Sequence, residues 1–389
     1  MRLLHVAPHY LPALRYGGPI HSIHGLCRAL VELGHEVHVF TTDVDGPERL
    51  DVPLAQPVNI DGVKVWYFPI SFPRRIFFSP AMRDALKKQV GQFDFVHLQS
   101  TYLWPMWAAA RIAKGAGVPY VLTPRGTLVK DLVQGKNRFV KLAWINFIER
   151  KTIRQAAFLH VTSAHEAVAL DHFQFQLPAV EVIPNGVNCV EEDRSRLPID
   201  AGETKEHAIL FLGRLSWEKG LDRLIPALAH LPKVQLLIAG NDERGYRVSL
   251  EALAAQHGVA SRVRFLGPVY GAAKERLFHT ASLMVLPSYS ENFGNVILEA
   301  WANGCPVAVT QEVGLASVVQ ETGAGVVVPG EPHLLGAALL ELLAQPELLK
   351  AMGARGQQIV AERFTWPTIA LQMQAAYLAH RASAKCSTI

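Results

Sequence analysis

The chain has 389 residues, half of them apolar and 19% charged, which excludes a disordered polymer and exceeds the roughly 250–300 residues at which a single core stops growing, so two domains are expected. Its formal net charge of +4 divides unevenly: residues 1–188 carry 20 Lys+Arg against 14 Asp+Glu, a balance of +6, and the remainder stands at −2, so an anionic partner is expected in the first half. No apolar run reaches about 18 residues and MRLLHVAPHY meets His5 and Pro8 too early for a secretory core, so a cytoplasmic place is expected, on the inner face of the plasma membrane where peripheral.

Short Val/Ile/Leu-rich runs alternate with amphipathic stretches along the chain. In the first half they are LLHVA, EVHVF, FDFVHL, PYVLT, FLHVTS and VEVIP. In the second they are AILFLG, VQLLIAG, RVRFLG, LMVLP, PVAVT and AGVVVP. Continuous apolar strands with helices between them predict parallel sheets covered on both faces, an α/β architecture. The polar, aperiodic stretch NCVEEDRSRLPIDAGETKEH divides the two sets. The expected boundaries are a first domain over 1–188, a linker over 189–206, a second domain over 207–366 and a closing helix over 367–389, with Pro367 near its first turn. Cys27, Cys189, Cys305 and Cys386 lie far apart with no C-x-x-C pair, the pattern of small buried residues and not of a zinc site or disulfide framework.

Taken in chain order, the first loop with chemical character is PALRYGGPIHSIHG, where Gly17-Gly18 follows the first strand and opens a helix. Bare backbone there can approach a phosphate, although G-x-G-x-x-G is absent. Asp43-Val44-Asp45 forms a D-x-D in the wrong domain context for a metal site, and no metal is expected. FPRRIFFSPAMRDALKK and KNRFVKLAWINFIERKTIRQA set Arg74, Arg75, Lys87, Lys88, Arg150 and Lys151 beside Phe72, Phe77, Phe78, Trp144 and Phe147. Such stretches suit an anionic bilayer surface, and a solvated face on a core helix accounts for them equally well. Nucleic acid is not an expected partner, since no recognised module accompanies the diffuse basic residues. His97 and Arg125 follow or end two apolar strands, at the carboxyl edge of a parallel sheet.

In the second half GRLSWEKG places Arg214 and Lys219 on one strand-to-helix loop. Two cations so close repel unless an anion or carboxylate sits between them, and a diphosphate meets that need. SYSENFGNVILEA follows the strand LMVLP, with Glu291 outside a helix start and Glu299 one turn inside it. The spacing alone is weak, because 22 Glu give such a pair by chance and Glu243 and Glu251 form another. Position decides: the loop lies at a carboxyl edge of a parallel sheet, Gly294 opens the helix entrance, and Glu299 shares a helix side with Asn295. A carboxylate there can accept two ribose hydroxyls.

These residues carry a resemblance. The Gly17-Gly18 loop, G-R-L-S-W-E-K-G at 213–220 and S-E-N-F-G-N-V-I-L-E at 290–299, with V-I-P-N-G-V at 182–187 and A-N-G-C-P-V at 302–307, resemble the retaining nucleotide-sugar glycosyltransferases of the GT-B fold, family 4, over nearly the whole chain. The resemblance implies two Rossmann-like doubly wound domains facing across a cleft. It also implies a retaining, metal-independent and cofactor-free transfer of a hexose from a UDP- or GDP-sugar to a saccharide acceptor, lipid-linked, in surface polysaccharide synthesis. By the same resemblance Arg214 and Lys219 hold the donor diphosphate, Glu291 the transferred sugar, and Glu299 the ribose. The backbone of Asn292, Phe293, Gly294, Asn295 and Val296 meets sugar and phosphate, and that near Val269 the base. Where many relatives carry a histidine this chain has Arg125, which cannot act as a base; Arg125 and His97 are expected on the acceptor side. A sugar-nucleotide epimerase of similar shape and a non-catalytic nucleotide-sugar binding protein remain the rival readings, and the base, sugar, acceptor and linkage are not fixed.

Overall fold

Alternation of side chains across a strand sets the first core. Leu3 packs in the cluster on one sheet face and Leu4 in the cluster on the other, as a period of two requires. The computed structural model describes residues 1–386 apart from 14, 16, 129–143, 172–175, 189–207 and 243–244. The expected linker therefore lies outside the described residues. Two compact units are present, Met1–Gly186 with Trp366–Ile389, and Val187–Thr365.

The first unit is built on strands β1 (Arg2–Val6), β2 (Glu36–Thr42), a small ribbon of β3 (Val44–Asp45) and β4 (Glu48–Arg49), then β5 (Pro57–Ile60), β6 (Val63–Phe68), β7 (Phe95–Gln99), β8 (Tyr120–Thr123), β9 (Phe158–Val161) and β10 (Ala179–Val182). Its main sheet runs β10-β9-β8-β7-β1-β2-β6-β5. Every pairing is parallel except β5 with β6. All residues of β7, β8 and β9 are buried, which explains why they read as unbroken apolar runs. The sequence reading missed β5 and β6. VKVWYF buries Val63 and Val65 while exposing Lys64, so its signal is alternation and not a run. β5, at the sheet edge, starts at Pro57, a first-residue position that a proline tolerates.

Helix α1 (Gly18–Glu32) begins after Gly17 and buries Ile20, Ile23, Leu26, Cys27 and Leu30 on one face. The terminal helix Trp366–Cys386 belongs to this unit. Trp366, Ile369, Ala370, Met373 and Tyr377 recur at helical spacing and join the same cluster as Ile23, Leu26 and Leu30. The Trp366 indole lies where a side chain on Gly25 would stand, within 2.2 Å of the β-carbon position, so α1 and the terminal helix touch through a glycine. Trp366→Ala should cost about 3–5 kcal/mol through the cavity left behind. The expected result is a fall of roughly 10 °C in the melting temperature read by calorimetry, and an unchanged transition would show that the contact contributes nothing.

The second unit contains β11 (Ala208–Leu212), β12 (Gln235–Ala239), β13 (Val263–Gly267), β14 (Leu283–Leu286), β15 (Val307–Val309) and β16 (Gly325–Val327). They form one sheet of order β13-β12-β11-β14-β15-β16, parallel throughout. All six were legible as apolar runs. A doubly wound sheet of this order reverses direction between its first and fourth strands, here β11 and β14, and ligands settle at the carboxyl ends of that pair.

Candidate active site

The loops that follow β11 and β14 meet. After β11 the chain passes Gly213, Arg214, Leu215 and Ser216 into a short 3-10 turn, Trp217–Lys219, and then into helix α2 (Leu221–Ala227). After β14 it passes Pro287 to Gly294 and enters the eight-residue helix Asn295–Ala302. Tyr289 N–H donates to the Glu218 carbonyl at 2.8 Å, which closes one loop on the other. The Lys219 ammonium donates to Glu291 Oε2, and both side chains are only 17% exposed. A third loop braces the acid: Glu291 N–H donates to the Glu312 carbonyl at 3.1 Å, and Gly314 N–H to the Glu291 carbonyl at 2.8 Å.

This arrangement disposes of the view that Glu291 merely caps a helix. The N-cap is Gly294, in the left-handed region at φ 95°, with no side chain capping the helix and no acid in its first turn. Ile297 N–H donates to the Gly294 carbonyl at 2.9 Å, so the entrance is capped by backbone alone, a setting that suits a phosphate. Phe293 is 3% exposed and packs in the core, fixing the turn while its carbonyl accepts from Leu315 N–H at 3.1 Å. Asn292, Asn295 and Val296 are partly exposed around it. Arg214 is exposed on the same loop as Lys219, whose Cε packs 4.0 Å from the β-carbon position of Gly213. On Lys219 the structure places a carboxylate, Glu291, from the other loop.

Helix α3 (Gly271–Thr280) contributes a residue that the sequence did not announce. Lys274 donates to Glu299 Oε1 at 3.0 Å, with both side chains 29% exposed. Val269, partly exposed, lies two residues before α3. Nothing about a lone lysine on an amphipathic helix marks it as facing an acid 25 positions away. Arg223, in the first turn of α2, was missed for the same reason. It donates to the Pro287 and Ser288 carbonyls at 3.3 and 3.2 Å and lies 3.5 Å over the Tyr289 ring.

In the first unit Gly17 takes φ 70° as the N-cap of α1, with Gly18 as the first helical residue and no side chain capping them. His97 corrects the expectation placed on it. It is 1% exposed, with Nδ1 on the Tyr377 hydroxyl and Nε2 on Thr123 Oγ1, each at 2.7 Å, so the ring holds the terminal helix to the sheet and does not line a binding surface. Burial pushes it well below the usual histidine range, and drives His5 and His160 down to about 3. Arg125 is partly exposed at the end of β8 and adopts φ 53°. Its Nε donates to Gln99 Oε1 at 2.8 Å and its Nη1 to Ser22 Oγ, on α1, at 3.0 Å. Burial lowers its pKa to about 10, so it stays a cation at neutral pH. Asp43 of the D-x-D accepts from Ile70 N–H and from Arg49, at 3.1 and 3.0 Å, which gives it a structural occupation.

The phosphatidyl-myo-inositol mannosyltransferase of Mycobacterium leprae is 32% identical to this chain over 376 residues, covering 93% of the chain and 92% of that protein. Residues 193–359 match the family "Glycosyl transferases group 1", and residues 17–186 match "Glycosyl transferase 4-like domain". The chain belongs to the family 4 glycosyltransferases. Solved structures give the glycosyltransferase its fold. Sucrose-phosphate synthase from Thermosynechococcus elongatus superposes with a TM-score of 0.79 at 23% identity, over 98% of this chain and 99% of that one. Anabaena HepE, in complex with UDP-glucose, gives 0.75 at 20% identity over 97% of this chain and 100% of that one. The fold is therefore GT-B, two Rossmann-like α/β domains, and this glycosyltransferase carries the Lys219–Glu291 pair at the switch point of the second.

Proposed function

We propose that the enzyme moves a hexose from a UDP- or GDP-sugar to a saccharide acceptor carried on a lipid, with retention of anomeric configuration and without a metal or cofactor. The Lys219–Glu291 pair, formed between the loops after β11 and β14, carries this reading. Departure of a nucleoside diphosphate leaves negative charge on the phosphate and positive charge at the anomeric carbon, and fixed charges aimed at such centres are normally a large part of catalysis. Lys219 and Arg214 supply cations for the diphosphate, and the amides from Asn292 to Val296 supply donors. Glu291 accepts hydroxyls of the transferred sugar and Glu299 those of the ribose, with the base held by the backbone near Val269. Gly17, Gly18 and Arg125 belong to this scheme as contacts of the first domain to sugar or phosphate.

Retention follows from the resemblance: the acceptor hydroxyl attacks from the face that the diphosphate leaves, and a phosphate oxygen takes its proton. No protein carboxylate then serves as nucleophile, unlike the paired acids of retaining hydrolases. Two observations favour a lipid-borne acceptor. The M. leprae relative is named for a phosphatidyl-inositol substrate. Phe72 is 90% exposed, close in the chain to exposed Arg74 and Arg75, and Phe147 is 82% exposed near exposed Arg150 and Lys151, two stretches each suited to an anionic bilayer at the cytoplasmic face. Lys136, Arg138, Phe139 and Lys141 of the second stretch lie outside the described residues. Among the described residues no helix is long and apolar enough to cross a membrane.

The deciding experiment gives the enzyme UDP-glucose, GDP-mannose or ADP-glucose with lipid-linked saccharides, in EDTA, and follows nucleotide release and the product's anomeric proton by NMR. Retained configuration with one donor and full rate in EDTA are expected, and a donor of that kind should raise the melting temperature by mass action. A loss in EDTA, or an inverted product, overturns that part of the proposal. Sugar isomerisation with no acceptor would identify an epimerase, and donor binding with no turnover a binding protein.

A further inference from the structure

Glu291 stands on a segment without regular structure, Pro287 to Gly294, so its position depends on what braces that segment. From one side come residues 218–223: the Glu218 carbonyl accepts from Tyr289 N–H at 2.8 Å, and Asp222 Oδ2 accepts from the Tyr289 hydroxyl at 3.0 Å. From the other side comes the loop after β15: Thr310 Oγ1 donates to the Ser288 carbonyl at 2.7 Å, and the Glu312 carbonyl accepts from Glu291 N–H at 3.1 Å. Arg223 joins both. Its guanidinium donates to the consecutive carbonyls of Pro287 and Ser288, stacks 3.5 Å from the Tyr289 ring centre and lies 4.0 Å from Glu312 Oε1. The side chain is 15% exposed. A β-carbon on Gly330 would stand 2.7 Å from its Cζ, so the absence of a side chain there leaves the guanidinium its place.

We infer that Arg223 is a positioning residue for Glu291, holding the carboxylate where Lys219 meets it. The inference rests on the proposed role of Glu291. A planar, multi-donor cation fits this position because it can bridge two carbonyls and stack on an aromatic ring at once, which a lysine ammonium cannot. The contacts of Arg223 run to Pro287, Ser288, Tyr289 and Glu312, so its effect on Glu291 is transmitted through the loop.

Two variants test this. Arg223→Ala removes the brace, and Gly330→Ala displaces the guanidinium while leaving the arginine in the chain. In both, turnover of UDP-glucose or GDP-mannose, with water standing in for the acceptor, should fall by about 10–100-fold, since misplacing a reacting group by about 1 Å has effects of that order. Affinity for UDP or GDP by calorimetry should fall by less than turnover does, because Arg214 and Lys219 hold the diphosphate from the other loop while Glu291 acts on the sugar. Amide hydrogen exchange should accelerate over residues 288–294 and 312–315 alone. Arg223→Lys should not restore the rate, and millimolar guanidinium should partly rescue Arg223→Ala without affecting the wild type. Unchanged exchange over 288–294 in both variants, or wild-type turnover in both, overturns the inference. Should Arg223→Ala fail to fold, Gly330→Ala decides alone. A parallel Glu291→Ala separates the two claims: if it turns over normally the role of Glu291 fails, and if it is dead while Arg223→Ala and Gly330→Ala are normal, only Arg223's role fails.

Discussion

Lys219→Ala and Glu291→Ala should each reduce sugar transfer by at least about 10²–10³-fold, the effect of removing one preorganised charge or donor from a developing ionic centre. The two losses have different origins. In the proposed scheme removal of Lys219 takes a cation from the departing diphosphate, and it leaves Glu291, only 17% exposed, without its partner where the anionic donor would bind. Without Glu291 the donor still finds its cations, so nucleotide affinity should hold while the rate collapses. In the proposed scheme the two side chains act on one leaving group and one sugar, so the double variant should be little worse than either single one. The measurement is steady-state kinetics with calorimetric nucleotide affinity and a circular dichroism check of the fold. Wild-type turnover in both single variants would remove the pair from the mechanism.

How much of this was readable from residues follows from what each feature needs. Strands buried on both faces need only apolar residues in runs, so β11, β12, β14 and β15 were legible, as was the placement of the loops after β11 and β14; β13 and β16, only partly buried, were legible from the same kind of run. An alternating strand with an edge neighbour, β6 with β5, gave no such run. The Lys219–Glu291 contact depends on strand order, since the two residues are 72 positions apart and meet because β11 and β14 are neighbours. Their chemical types and loop positions were visible, and their partnership was not. Lys274 and Arg223 lay deeper still, as ordinary cations on helices whose partners are defined only by packing. His97 shows the opposite failure. A histidine at a strand end has the chemistry of a site residue, yet its two nitrogens are spent on Tyr377 and Thr123, and only the return of the terminal helix to this sheet reveals that.

Gly220→Ala should distort or unfold the second domain by adding a single methyl. Gly220 has φ 70° and ψ 25° as the N-cap of α2, a conformation that costs an L-residue about 1–2 kcal/mol. A β-carbon there would also lie 1.9 Å from the Pro287 carbonyl oxygen and 3.4 Å from Arg223 Cδ. The first of these is backbone, so relief requires moving the chain, and overpacking of this kind adds about 1–3 kcal/mol. The chain that must move is the segment carrying Glu291, so activity should fall with stability. Gly245 supplies the control: it shares φ 70° and caps the helix Tyr246–Gln256, but nothing lies within 4 Å of its β-carbon position. Gly245→Ala should therefore cost only the backbone term of about 1–2 kcal/mol and leave turnover intact. Denaturant titration of both variants reads the difference directly. Equal losses would mean that dihedral strain alone explains Gly220, and that close approach of the two loops is not what demands a glycine at the start of α2.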